Sequence, residues 1–149
     1  MTTAVLHDAE VPASEPAVLV ADAGLPTDDL ADPGRRFWRF CDARGDTVGV
    51  AGLEIHGDDV LLRSVAVVPS RRGHGAGRSI VRRTLAHAAA LGARRAFLLT
   101  TTAQDFFTAQ GFLPVERAMV PAPIAATREF AALCPASAVC MVKALAPTA

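Results

Sequence analysis

The sequence predicts an α/β chain of the α+β kind: a mixed central sheet of about seven strands flanked by helices, with a helical insert before the last strand. Three observations carry this. Residues 36–68 form three runs with strand-like alternation, separated by two tight turns, which is the pattern of an antiparallel meander. Beyond Pro69 the apolar period lengthens from two to about 3.6, as in an amphipathic helix. From Arg95 onward short apolar runs alternate with short helical segments, which calls for helices on both faces of the sheet.

Residues 1–16, with Pro12, Pro16 and scattered acids, show no period and read as a mobile N-terminal tail, leaving 17–149 as one domain. Ala17–Ala21 reads as a short strand, and Thr27–Leu30 as a single helical turn within a loop. In Arg36–Asp42, Phe37, Arg39 and Cys41 alternate with Trp38 and Phe40. Arg44-Gly45-Asp46 then turns the chain into a second strand, Val48–His56, and Gly57-Asp58-Asp59 into a third, Val60–Val68. Across 75–91 Ile80, Val81, Thr84, Leu85, Ala88 and Leu91 share one helical face, opposite Arg82, Arg83 and His87, and Gly92 is a good stop. Arg95–Thr100 reads as a buried strand, Ala103–Gln110 as a short helix, Phe112–Val120 as a strand, Pro123–Leu133 as a helix and Ala138–Leu145 as the last strand.

At 149 residues, 51% apolar and 20% charged, the chain is large enough for one core and is not disordered. Its apolar runs fall short of the ~18 residues of a membrane span, and no basic segment opens the N-terminus as in a secretory signal. Three cysteines are too few for a disulfide scaffold, so the expected setting is the reducing cytoplasm. Cys134 and Cys140 would lie roughly 15–20 Å apart on extended chain, too far to share a metal ion or a disulfide, so no metal is expected. Net charge is zero but uneven: residues 1–59 carry four arginines against twelve acids, whereas 60–104 carry eight arginines and no acid. The basic segment needs an anionic neighbour, either a ligand or the acidic first third. Nucleic acid fits poorly, since Phe97 is the segment's one aromatic residue.

Strand, glycine-rich turn and helix succeed one another over Ser64–Arg78. Gly73, Gly75 and Gly77 let backbone N–H groups converge on one concavity, the helix start adds about half a positive charge, and Arg71, Arg72 and Arg78 add whole ones. Such a loop suits a phosphate or pyrophosphate. A Walker loop would end in Gly-Lys-Ser/Thr, but here Arg78 follows the last glycine and the one lysine is Lys143. A dinucleotide fingerprint needs G-x-G-x-x-G and an acid about 20 residues on, and none lies between Asp59 and Asp105.

Val65-Ala-Val-Val-Pro followed by Arg72-Gly-His-Gly-Ala-Gly77 resembles the R/Q-x-x-G-x-G/A motif of the GNAT N-acetyltransferase superfamily. Phe106-Phe-Thr-Ala-Gln-Gly-Phe112 resembles its aromatic-x-x-x-Gly-Phe segment, and the order of elements over 17–145 is similar to the GNAT fold. Gly52-Leu-Glu, Leu62–Val67, Leu98–Ala103, Thr127-Arg-Glu-Phe and Leu133–Met141 resemble most closely the N-acetyltransferases found with arsenic-resistance genes. Leu99-Thr-Thr-Thr-Ala103 is also similar to the acetyltransferase domain of N-acetylglutamate synthases.

The resemblance implies acetyl-CoA as cosubstrate. Backbone amides of Arg72, Gly73, His74, Gly75, Ala76, Gly77 and Arg78 would hold the pyrophosphate, and Arg71, Arg72 or Arg78 the ribose phosphate. The edge at Val65 and Val67 would pair with the pantetheine amides. A backbone N–H within Val65, Ala66 and Val67 would serve the oxyanion, and Phe106 and Phe107 would flank the thioester. The family's thiolate-protonating tyrosine falls at Phe107, and the chain has no tyrosine. Ser64, Thr100, Thr101, Thr102 or water must then act, or the thiolate leaves unassisted. Glu54, a carboxylate in an apolar strand, is the candidate base, ahead of His56. Arg63 and Ser64 should project to opposite faces, so at most one meets the substrate. Arg128 and Glu129 on the helical insert are candidates for the carboxylate and ammonium of an amino-acid-like acceptor. The expected activity is therefore acetyl transfer to a small α-amine, including an amino-acid-like arsenical or phosphinate. The competing reading is a non-catalytic acyl-CoA-binding or metalloid-sensing module. A homodimer stays open, and neither nucleic acid nor membrane is an expected partner.

Overall fold

The computed structural model describes residues 6–127, 130 and 137–146. Seven strands form one sheet in the order β1-β2-β3-β4-β5-β7-β6. They are β1 (His7–Val11), β2 (Arg35–Cys41), β3 (Thr47–His56), β4 (Asp59–Val67), β5 (Arg95–Thr100), β6 (Leu113–Pro114) and β7 (Val139–Ala144). Among the described residues α1 (Ala17–Asp22), α2 (Ala76–Ala90), α3 (Gln104–Ala109) and α4 (Ala122–Ala125) join them. All neighbours are antiparallel except β4 and β5. No helix among the described residues is long and apolar enough to cross a membrane.

The meander, α2, β5, α3 and β7 stand close to where the sequence places them. The expected succession of strands and helices also stands, but its first two members sit earlier in the chain. Ala17–Asp22 is a helix, not a strand, and the first strand is His7–Val11, inside the stretch expected to be a mobile tail. Both differences have a physical reason. A five-residue apolar run does not distinguish strand from helix by period, and in α1 only Val20 is buried while Val18 is exposed. β1 is an edge strand without an apolar face, held by its ladder with β2 and by polar clasps. Asp8 meets His87 of α2, whose ring stacks on Trp38, and Glu10 takes both nitrogens of a forked bond from Arg36.

Phe112–Val120 is likewise not a full strand. The strand covers only Leu113–Pro114, with one further bond from the Val115 N–H to the Cys140 carbonyl, and Arg117–Met119 forms a turn of 3-10 helix. Of the expected helix Pro123–Leu133 the structure shows α4. Arg128, Glu129 and Cys134 lie outside the described residues.

Two apolar layers sandwich the sheet. On one face Ile80, Val81, Leu85 and Ala88 of α2, with Phe107 and Phe112, pack on Trp38, Phe40, Leu53, Leu62, Leu98 and Met141. On the other, α1 covers Val50 and Ala66, while Val120, Ile124 and Phe130 cover Leu61, Phe97 and Cys140. Burial of these side chains, each worth roughly 1.5–3 kcal/mol, is the main force that holds the helices to the sheet.

Candidate active site

β4 and β5 pair only over Asp59–Leu61 and Arg95–Phe97, and then part. A cleft of about 1080 Å³ opens from that point, walled by Leu62–Val67 on one side and Leu98–Ala103 with Phe106 and Phe107 on the other. The loop Asp22–Asp28 and residues 71–73 and 75–78 line its remaining sides.

A bulge in β4 shapes the opening. β3 pairs Gly52 with Arg63 and Val50 with Ala66, so Ala51 faces both Ser64 and Val65. Ser64 takes φ +57°, the only non-glycine residue with positive φ among those described. Such a conformation costs of order 1–3 kcal/mol and persists only where its surroundings enforce it. The extra residue inverts the alternation. Leu62 faces the α2 layer, but beyond the bulge Val65 and Val67 join that layer and Ala66 turns to the α1 side. The expectation that Arg63 and Ser64 point apart is therefore corrected. Both line the cleft, and Arg63 Nε donates to Ser64 Oγ at 3.2 Å.

The glycine loop has the geometry of a candidate anion cradle. Gly73 and Gly75 stand at φ +82° and +81°, the left-handed region open to glycine at little cost. Gly75 caps α2 without a side-chain hydrogen bond, and the first turn carries no acid. The start of this 15-residue helix thus lines the cleft with no acid in its own first turn. A Cβ on Gly77 would touch the Phe106 ring at 3.4 Å, so glycine there lets helix and ring close up. His74 is exposed and is not in the cleft wall.

The three arginines have different duties. Arg71 is bound to Asp42 of the β2–β3 hairpin, and that bond, against the opposing effect of burial, holds the Asp42 carboxyl below its usual range. Arg72 Nε donates to the carbonyl of Val67 at 3.1 Å. Arg78 lines the cleft on the first turn of α2. Phe106 and Phe107 meet edge to face at 5.0 Å, and Phe107 meets Phe112 at 5.7 Å, so both rings belong to the core and to the cleft wall. Thr101 lines the cleft, and Thr100 Oγ1 accepts from the Ala103 N–H at the start of α3.

Glu54 is buried but stands outside the cleft wall, in a cluster of ions on the α1 side of the sheet. Its Oε1 meets Arg35 at 3.1 Å and His56 Nε2 at 3.1 Å, and its Oε2 meets Arg63 at 3.4 Å. Asp29, fully buried on the turn Thr27–Asp32, grips Arg63 with both oxygens and meets Arg35 at 3.3 Å. Burial, the largest single influence, pushes the Asp29 carboxyl up. Arg63 and Arg35 together outweigh it, and the carboxyl lies below its usual range. Asp29 and Arg35 were not singled out from sequence. The available signal was the charge imbalance: buried Arg63 in the basic segment requires an acid, and the first third supplies Asp29 and Glu54 to it, as it supplies Asp42 and Asp59 to the more exposed Arg71 and Arg95.

A strand edge left open beside a helix-dipole anion cradle can hold an extended amide-bearing chain that ends in phosphates. An amino-acid acetyltransferase of Mycobacterium tuberculosis is 37% identical over 98 residues, 64% of this chain and 56% of the relative, so the match spans little more than half of that protein's length. Two solved structures share the fold: a GNAT-family acetyltransferase of Staphylococcus aureus (16% identity, TM-score 0.71, covering 95% of this chain and 100% of that one) and the N-acetylglutamate synthase of Neisseria gonorrhoeae with coenzyme A and N-acetyl-glutamate (17% identity, TM-score 0.73, covering 94% of this chain and 35% of that one). The model of the acetyltransferase (GNAT) domain matches residues 33–114, a span that holds the meander, the bulge, the glycine loop and α3, and the chain belongs to this GNAT acetyltransferase family.

Proposed function

We propose that the protein is an acetyl-CoA-dependent N-acetyltransferase acting on the α-amino group of a small, amino-acid-like acceptor. The observation that carries this reading is the free edge of β4, which runs from the Ser64 bulge to the glycine-capped start of α2. Pantetheine amides would pair with Val65 and Val67, and the pyrophosphate would sit on the N–H groups of residues 72–78. The Val67 carbonyl is taken by the Arg72 side chain, which must turn away to release that part of the edge.

In the transfer the amine nitrogen attacks the acetyl carbonyl, the C–N bond forms, the C–S bond breaks, and the ammonium proton must leave. A backbone N–H of the Val65–Val67 segment would take the oxyanion. Phe107 offers no hydroxyl to the departing thiolate, so Ser64, Thr100, Thr101 and Thr102, all in the wall, are the candidate protein groups for that proton, with water or unassisted departure as the alternatives. Glu54 is the candidate base, but it stands outside the wall and Arg63 cannot relay a proton, so the ammonium proton would reach it through water or through His56, whose Nε2 meets Glu54 Oε1. The acceptor assignment draws on the amino-acid and N-acetylglutamate relatives, with Arg128 and Glu129 as its candidate contacts. The resemblance to arsenic-resistance N-acetyltransferases adds amino-acid-like arsenicals and phosphinates.

Thiol release from acetyl-CoA, followed over L-amino acids with L-glutamate included and over one arsenical and one phosphinate amino acid, tests the reading. Turnover with any of them is the expected result, and the pattern names the acceptor. CoA binding without turnover across the panel would leave the non-catalytic acyl-CoA module instead.

A further inference from the structure

Ser64 holds a strained backbone in the middle of the functional edge, and a strained residue keeps its conformation only if its neighbours enforce it. The neighbour bonded to its side chain is Arg63, which carries no exposed side-chain area. Arg63 is itself held at its far end. Asp29 takes Nη1 and Nη2, the latter at 2.5 Å, and Glu54 takes Nη1 at 3.4 Å. A guanidinium is planar, so fixing its outer nitrogens on a carboxylate fixes where Nε points. Here it points at Ser64 Oγ. The grip also ties β4 to the segment that follows the cleft-lining loop Asp22–Asp28, on which Asp29 sits.

We infer that Asp29 is a positioning residue for the cofactor arm: through Arg63 it locks the Ser64 bulge and so sets the direction of the free edge at Val65–Val67. This rests on the reading of that edge as the pantetheine edge. The glycine cradle lies on a separate element, so Asp29 governs the arm and not the phosphates. Loss of the Asp29 charge removes the forked carboxylate that orients the Arg63 guanidinium, which can then rotate about its remaining contacts. Ser64 then relaxes toward an ordinary extended backbone, and the edge swings out of register with the cradle.

Two probes separate the arm from the phosphates: CoA, which has the arm, and 3′-phospho-ADP, which lacks it. In Asp29→Asn the Kd for CoA should rise about tenfold, equivalent to the loss of one or two backbone hydrogen bonds. The Kd for 3′-phospho-ADP should stay within about twofold. Should Asp29→Asn fail to fold, the pair Asp29→Leu with Arg63→Met keeps the site filled with apolar groups, and the same split is expected in it. Equal affinities to wild type for both probes in a folded variant would overturn the inference. So would a parallel loss for both, which is what general loosening produces. Wild-type protein that binds CoA no better than 3′-phospho-ADP would instead refute the pantetheine-edge reading, a separate failure.

Discussion

Replacement of Gly75 by leucine tests the anion cradle most directly. Gly75 caps α2 at φ +81°, and a Cβ built there meets no atom within 4 Å, so nothing clashes in the protein alone. The cost to the free protein is backbone strain, about 1–2 kcal/mol for a left-handed L-residue. At about 2–4 °C per kcal/mol for a chain of this size, the free Tm should fall by roughly 2–8 °C. The effect on binding is different in kind. A phosphate oxygen must come within about 2.9 Å of the backbone N–H groups, and a branched side chain rising from Gly75 occupies that approach. CoA at one hundred times its Kd stabilises wild-type protein by about 2.7 kcal/mol, a Tm rise of roughly 5–11 °C. In Gly75→Leu this rise should vanish, whereas Gly75→Ala should keep part of it. The assay is thermal unfolding with and without CoA, with NAD and ATP alongside. An undiminished CoA shift in Gly75→Leu, or a shift with NAD or ATP but not CoA, would refute the cradle assignment.

Three further outcomes follow from the site. Glu54→Gln should lower the rate of acetyl transfer by about 10²–10⁴-fold; a rate within a few-fold of wild type excludes Glu54 as the base. Phe107→Tyr would place a hydroxyl where the family carries its acid, and should raise kcat by up to about 10²-fold if thiolate departure limits turnover. Unchanged kcat in a folded Phe107→Tyr protein would show that departure is not limiting. Asp29 and Asp42 both have carboxyls below their usual range, so the stability they lend is complete above about pH 3.9, the ordinary aspartate value, and is lost as pH falls through their lower folded values. A plot of Tm against pH should therefore fall away below about pH 4, and less steeply in Asp42→Asn; the same slope in both proteins would remove the Arg71–Asp42 bond from the account.

Local chemistry determined much of this protein. The meander follows from turns at Arg44–Asp46 and Gly57–Asp59, and α2 from a change of apolar period after Pro69, because alternation and helical spacing are written within a few consecutive residues. The shape of the glycine loop was equally legible, since glycines that take positive φ, a helix start and nearby arginines are adjacent in the chain. Other features depend on residues far apart in sequence, and only the tertiary structure decided them. β1 has no apolar face of its own and is a strand because Asp8 finds His87 and Glu10 finds Arg36. Arg63 and Ser64 meet at one site because the register of β3 forces an extra residue into β4, an event that alternation within β4 alone cannot announce. Glu54 read as an isolated carboxylate in an apolar strand. It stands instead among two arginines and a histidine, with Asp29 across the same guanidinium, because burial makes every charge seek a partner wherever the fold can deliver one. Composition recorded that need as acids in the first third and arginines in the middle, and the folded sheet settled which acid met which arginine.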